Sequence, residues 1–214
     1  MPLTRDDAVS RIQNLLGYTT ARTAEIQNAL QDAQLELEQD AYLPWFLLTD
    51  ASVPTQLVTV ASSRAVALPT GFLREYEDDA LYYLNADDEF IPLEKDELEY
   101  LNTTFLATSG VPQAYAITLS SFIIFPLPDA VYNLRINQYY KADAILSSNI
   151  TNQWLTYTHE LIIGEAGMKI APGLRDSAGI SIFKSMAIRG KKRLISGSEA
   201  REHANRRYIM GGPD

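Results

Sequence analysis

Cysteine is absent from the 214 residues. Its absence excludes disulfides, thiolate nucleophiles and cysteine-bearing zinc or iron–sulfur sites, and it suits assembly in a reducing compartment. Histidine is scarce: His159 falls at the start of a helical pattern and His203 in a basic one, and both read as helix-surface residues rather than as bases or ligands. No Gly-x-Gly-x-x-Gly, Walker loop, Gly-x-Ser-x-Gly or His-Glu-x-x-His occurs, so the usual signatures of nucleotide binding, a nucleophile elbow and zinc hydrolysis are missing. No carboxylate pair stands out, and neither an enzyme, a metal site nor a cofactor is expected. No apolar run approaches the roughly 18 residues of a membrane span, and Met1-Pro2-Leu3-Thr4-Arg5-Asp6-Asp7 is not the start of a secretory leader. Positive charge is in deficit, 18 Lys and Arg against 27 Asp and Glu for a net of −9, which argues against tight non-specific nucleic-acid binding by the chain as a whole.

What is present is a 46% hydrophobic composition, ample for the core of one domain or two small ones. The charge is segregated. From Met168 to Asp214 there are 10 basic and 4 acidic residues, a net of +6, whereas Met1 to Gly167 carries a net of −15. A basic tail on an acidic body can bind neighbouring copies, an acidic partner or nucleic acid. It lacks the interleaved aromatics of a single-strand binder.

The pattern runs helices, strands, helices. Thr4 is placed to cap a helix from about Arg5 to Leu16, with Asp6 and Asp7 in its first turn and Gly17 as its stop. A second helix, about Arg22 to Asp40, puts Ile26, Ala29, Leu30, Ala33 and Leu37 on one buried stripe. On its polar side Asp32, Glu36 and Asp40 recur at four-residue steps, where like charges cost about 0.2–0.5 kcal/mol per pair. The stripe is either a solvated face or an acidic surface facing a basic neighbour or a DNA-conducting lumen. Leu43-Pro44-Trp45-Phe46-Leu47-Leu48 reads as a core plug. Strands are expected at Gln56–Ser62, Leu81–Leu84 and Glu89–Leu93, the last two forming a hairpin over Asn85-Ala86-Asp87-Asp88, with Pro92 marking an edge. A helix is expected over about Lys95–Leu106.

Glu75 to Glu99 carries 11 acidic residues and one base, Lys95. Asp78, Asp79, Asp87, Asp88 and Glu89 lack the Gly-punctuated order of a calcium loop. They are either solvated loops or a negative wall past which a duplex slides without sticking. The C-terminal third predicts a helix from Thr156 or Thr158 to Pro172-Gly173, with Gly164 and Gly167 marking close packing. A basic helix follows, with a break near Gly197 and a new cap at Ser196-Gly197-Ser198-Glu199. The last residues, from Tyr208 on, read as a tail that either frays or orders on a partner. Trp45 and Trp154 leave open an aromatic sugar-binding shelf.

The densest strand signal lies between Gly110 and Lys141. Tyr115, Ile117 and Leu119 alternate with small residues, Phe122-Ile123-Ile124-Phe125 follows, then Pro126-Leu127-Pro128-Asp129 turns into a strand with Tyr132, Leu134, Ile136 and Tyr140 on one face. This order of Gly110, Pro112, Tyr115, Pro126, Pro128, Tyr132, Tyr139, Tyr140 and Lys141 resembles the head-to-tail adaptor (connector) proteins of tailed bacteriophages. The Leu43–Leu48 run and Leu68-Pro69-Thr70-Gly71-Phe72 fit the same order, so the resemblance covers most of residues 20 to 145. It implies an α+β fold: a helical bundle of N- and C-terminal helices (1–45 and 146–207) around an antiparallel, sandwich- or barrel-like β insertion (46–145), with a flexible tail (208–214).

It further implies a non-enzymatic virion protein at the head–tail junction, made in the host cytoplasm and without a membrane partner. Such a protein forms a ring of about twelve copies beneath the portal and extends the channel for double-stranded DNA. The basic arm, Arg201, Arg206, Arg207, Tyr208, Ile209 and Met210, would grip the portal. The acidic loops, Asp78, Asp79, Asp87, Asp88 and Glu89, would face the tail nozzle or tube or the channel, and Asp32, Glu36 and Asp40 would line the channel. The rival reading is another tail component, a tube-closing or host-glycan-binding protein.

Overall fold

The computed structural model describes residues 3–17, 22–49, 55–76, 80–146 and 152–209, by backbone alone at 55 and 202–209. In chain order the elements are α1 (Arg5–Leu15), α2 (Thr23–Gln39), a 3-10 turn (Trp45–Leu47), β1 (Thr55–Val58), β2 (Ala65–Ala67), β3 (Phe72–Glu75), β4 (Leu81–Leu84), β5 (Phe90–Pro92) and β6 (Glu94–Lys95). Then come α3 (Leu98–Thr104), β7 (Ser109–Gly110), β8 (Ala114–Ile117), β9 (Ser121–Phe125), β10 (Leu127–Pro128), β11 (Asn133–Ile136) and β12 (Gln138–Tyr140). The chain finishes with α4 (Gln153–Tyr157), α5 (His159–Ile170), a 3-10 turn (Ala171–Leu174) and α6 (Ser177–Ile209). The fold is α+β and divides into a helical unit, Met1–Leu47 with Ala142–Asp214, and a β-rich unit, Leu48–Lys141.

In the helical unit α1 starts as its sequence dictates. Thr4 Oγ1 accepts from the Asp7 amide at 3.1 Å and the Asp7 carboxylate accepts from the Thr4 amide at 3.0 Å, a reciprocal capping box. The bonds from Thr4 hold the Asp7 carboxyl below its ordinary pKa. Gly17 adopts φ 74°, and the helix ends there. The stripe of α2 is buried as its spacing predicts, but Gln34 and Glu38 are buried beside it. Their side chains receive the returning chain. Gln34 Nε2 donates to Glu38 Oε1 (2.8 Å) and the Ala142 carbonyl (3.2 Å), while Gln34 Oε1 accepts from the Ile145 amide (3.2 Å) and Asn152 Nδ2 (3.1 Å). Glu38 Oε1 accepts from the Ala142 amide (3.1 Å) and Trp154 Nε1 (3.2 Å). Buried polar atoms matched in this way fix a register that apolar packing alone leaves loose.

Three glycines let α5 and α6 approach backbone to backbone. A Cβ on Gly164 would stand 2.5 Å from the Ala187 nitrogen, one on Gly190 would stand 2.5 Å from the Leu161 nitrogen, and one on Gly167 would enter the Phe183 ring. The helix expected from Thr156 or Thr158 forms as α5, with Thr158 at its N-cap position though without a side-chain capping bond, and the short α4 precedes it, capped by Asn152 Oδ1 accepting from the Leu155 amide at 2.9 Å. The expected break near Gly197 does not occur. Ser196 Oγ donates to the Arg193 carbonyl and Ser198 Oγ to the Leu194 carbonyl, so the hydroxyls that would cap a new helix bond back to the preceding turn. The helix continues for 33 residues, about 50 Å at 1.5 Å per residue.

The β-rich unit contains two four-stranded sheets, ordered β1-β11-β4-β5 and β2-β9-β8-β6, and two-stranded pairs β12-β3 and β10-β7. Leu81, Leu134 and Ile136 of the first sheet and Val66, Tyr115, Phe122 and Ile124 of the second form one core, a sandwich arrangement. The ladder is mixed rather than purely antiparallel, because β6 with β8 and β7 with β10 run parallel. The expected long strand from Tyr132 to Tyr140 is two strands. Leu134, Ile136 and Gln138 point inward, β11 pairs with β1 and β4, and after Asn137 the chain joins β3 as β12. The register of β12 on β3 shifts between Tyr139 and Tyr140. The hairpin of β4 and β5 forms as expected, with Pro92 on an edge strand. Lys95, assigned to a helix by its sequence, is a strand residue, and α3 starts only at Leu98. Tyr115 is fully buried, and its hydroxyl donates to Glu75, which also pairs with Lys95.

Candidate functional site

The helical unit carries a half-open cavity of about 270 Å³ lined on one side by Trp45 and Phe46. Pro44 breaks the helical path after α2 and the following 3-10 turn buries Phe46 and Leu47 while leaving Trp45 half-exposed. Phe46 meets Trp154 edge-on at 5.2 Å and stacks on Tyr157 at 5.2 Å, and Trp45 packs against Tyr157 at 4.9 Å. Trp154 is 1% exposed and belongs to the core. The guanidinium of Arg201, from α6, lies 3.4 Å from the Trp45 ring centroid, a cation–π contact that occupies the ring face. An aromatic sugar-binding shelf made of Trp45 and Trp154 is therefore not formed.

The cavity wall is charged on one side. Arg193 Nη1 donates to Glu160 Oε2 at 2.7 Å. His159 sits next to them, half-buried, and its imidazole pKa is held below the ordinary value by desolvation first and then by the Arg11 and Arg193 charges, with Glu160 opposing. The pocket is bordered by the cations Arg193 and Arg201 and by the carboxylate of Glu160. Sequence reasoning missed the constellation. Its members, Trp45, Tyr157, His159, Arg193 and Arg201, lie up to 156 positions apart, and no local spacing links them.

The acidic stripe of α2 is partly neutralised within the chain. Glu36 accepts from Lys169 of α5, and Asp40 from Lys191 of α6 at 2.9 Å. The hydrogen bond from Lys191 holds the Asp40 carboxyl below its ordinary pKa. Asp32 is exposed. Half-buried Glu165 lies in the same cluster and is pushed up by desolvation and by Glu36 and Asp40, against Lys191 and Lys169.

In the β-rich unit, Asn85 organises the hairpin tip. Its Oδ1 accepts from the Asp87 and Glu89 amides at 2.9 and 2.8 Å, its Nδ2 donates to Glu89, and Asp88 takes φ 61°. Asp87, Asp88 and Glu89 are exposed. Asp78, Asp79 and Met210 lie outside the described residues, and Arg206, Arg207, Tyr208 and Ile209 are described only as the helical backbone at the end of α6. Among the described residues no group of histidines and carboxylates could hold a metal ion, and no helix is long and apolar enough to cross a membrane.

The helical unit thus carries ion pairs and a half-open aromatic pocket, and the β-rich unit is a small sandwich edged with carboxylates. The family model described as SU10 adaptor protein matches residues 3–207, and the chain belongs to that family of phage adaptors, which are structural proteins. No curated protein sequence matches the chain significantly.

Proposed function

We propose that the chain is a head-to-tail adaptor that closes into a ring of about twelve copies, docks beneath the portal and extends the DNA channel toward the tail nozzle or tube. The observation that carries this reading is the family match over nearly the whole chain, in an acidic molecule with one helix, about 50 Å long, on which basic residues outnumber acidic ones. The C-terminal arm, Arg201 with Arg206, Arg207, Tyr208, Ile209 and Met210, is the portal grip. The β-rich unit is the tail-facing part, and its carboxylates at Asp78, Asp79, Asp87, Asp88 and Glu89 form a negative surface past which DNA moves without being held. Asp32, with Glu36 and Asp40 at its side, lines the channel, the latter two damped by their lysines.

Light scattering on the purified chain alone, and mixed with portal rings of the same virus, tests the proposal. Joining of about a dozen copies (each 23.9 kDa) to one portal ring is expected, and charge reversal at Arg201, Arg206 and Arg207 should abolish it. Absence of association at any ratio, with both partners folded, would rule the adaptor role out in favour of another tail component.

A further inference from the structure

Helix α6 presents an exposed face with no ion pair to its own unit among the described residues. Between Asp176 and Glu199 it carries no acidic residue. Lys184, Arg189 and Lys192 are exposed and make no ion pair among the described residues, in contrast to Lys191 and Arg193, which are paired with Asp40 and Glu160. Two large apolar side chains stand among them, Ile182 at 43% and Ile188 at 59% exposure, with Ser181 and Ser185 leaving the surface between them low. Cations around exposed isoleucines describe a face whose complement is apolar at its centre and acidic at its rim.

The β-rich unit carries such a complement. The segment from β6 through α3 exposes Leu98 at 38% and Tyr100 at 56%, ringed by exposed Glu94, Glu97 and Glu99. None of these three carboxylates has a side-chain partner among the described residues, whereas Glu75 nearby is already used by Tyr115 and Lys95. We infer that the outward face of α6, centred on Ile188, Arg189 and Lys192, docks on the α3 surface of a second copy, centred on Leu98, Glu99 and Tyr100. The two patches are different, so the contact is heterologous: each copy offers one of each, and repetition by a closing rotation gives a ring. The inference rests on the ring reading above and specifies its subunit interface.

The cysteine-free sequence makes the test direct. Chains carrying only Ile188→Cys and chains carrying only Tyr100→Cys are mixed and oxidised, alone and on portal rings, with wild-type assembly followed in parallel by light scattering. A disulfide-linked heterodimer in the mixture is expected. Arg189→Glu with Lys192→Glu on the first chain should cut its yield about tenfold, and Glu97→Lys with Glu99→Lys on the second should recover most of it. Rings without this cross-link would overturn the interface and leave the adaptor role standing. Neither rings nor cross-link would overturn both. A concentration-independent link within a chain carrying both Ile188→Cys and Tyr100→Cys, with no link in the mixture, would assign the two faces to one chain and reject the second copy.

Discussion

A single missing methyl group decides how the two long C-terminal helices meet. Gly164, Gly167 and Gly190 occupy helical positions where alanine would ordinarily be better by about 1 kcal/mol, and each is required because the neighbouring helix occupies the space a side chain would fill. Gly197 is the contrast, since a Cβ there meets nothing within 4 Å. Gly164→Ala should therefore destabilise the protein by about 1–3 kcal/mol, as overpacking against backbone does, while Gly197→Ala should stabilise it by about 0.5–1 kcal/mol. Denaturant midpoints at constant m-value measure both. Equal effects of the two substitutions would mean that α5 and α6 are not in backbone contact. The role of Gly164 and Gly167 was legible in the sequence from their place inside an apolar helix, and the basic helix after it was legible too, but that the two pack on each other through Gly190 was not, because no local spacing links Gly190 to Leu161.

At the scale of elements, what could be read and what could not divide along the range of the interactions. Caps and stripes are local, so α1, the buried face of α2 and the β4–β5 hairpin follow from spacing. β2 and β3 escaped because strands of three and four residues with Ala-Val-Ala and Phe-Leu-Arg-Glu show no alternation long enough to register. The strand split at Asn137 escaped because both halves alternate; only the choice of partner separates them. The charge cluster of α2, α5 and α6 belongs to the same class. Glu36 and Lys169 are 133 residues apart and Asp40 and Lys191 are 151 apart, so the sequence displays the acids without their lysines.

That cluster has a pH signature. Glu165 has a raised pKa in the folded state, from desolvation first and then from Glu36 and Asp40, so folding takes up protons at this site. Its share of stability is fully present below its unfolded value, near 4.5, and is lost as pH rises through the folded pKa. Asp40, lowered mainly by its hydrogen bond from Lys191, works oppositely, and its contribution disappears on acidification. Glu165→Gln should therefore raise the melting temperature at pH 7 and leave it nearly unchanged at pH 4. A gain of the same size at both pH values would attribute the effect to packing instead of charge.

Over the whole molecule the signs of charge set the behaviour. A net of −9 with a +6 C-terminal segment gives a body that repels a phosphate backbone and a C-terminal helix of the opposite sign. The cations of α6 are not equivalent. Lys191 and Arg193 are held by their own chain, whereas Lys184, Arg189 and Lys192 are exposed and have no ion pair among the described residues. The carboxylates divide in the same way, with Glu75 internal and Asp87 and Asp88 exposed at a tip whose backbone Asn85 fixes. If the acids of these two loop segments serve passage of DNA and not folding, changing Asp78, Asp79, Asp87 and Asp88 to Asn should leave thermal stability and portal docking intact. It should also slow ejection of DNA from assembled particles, most strongly at low salt, where screening is weakest. Ejection time courses at two ionic strengths decide the matter, because an unchanged rate at low salt would leave these carboxylates with no part in the channel.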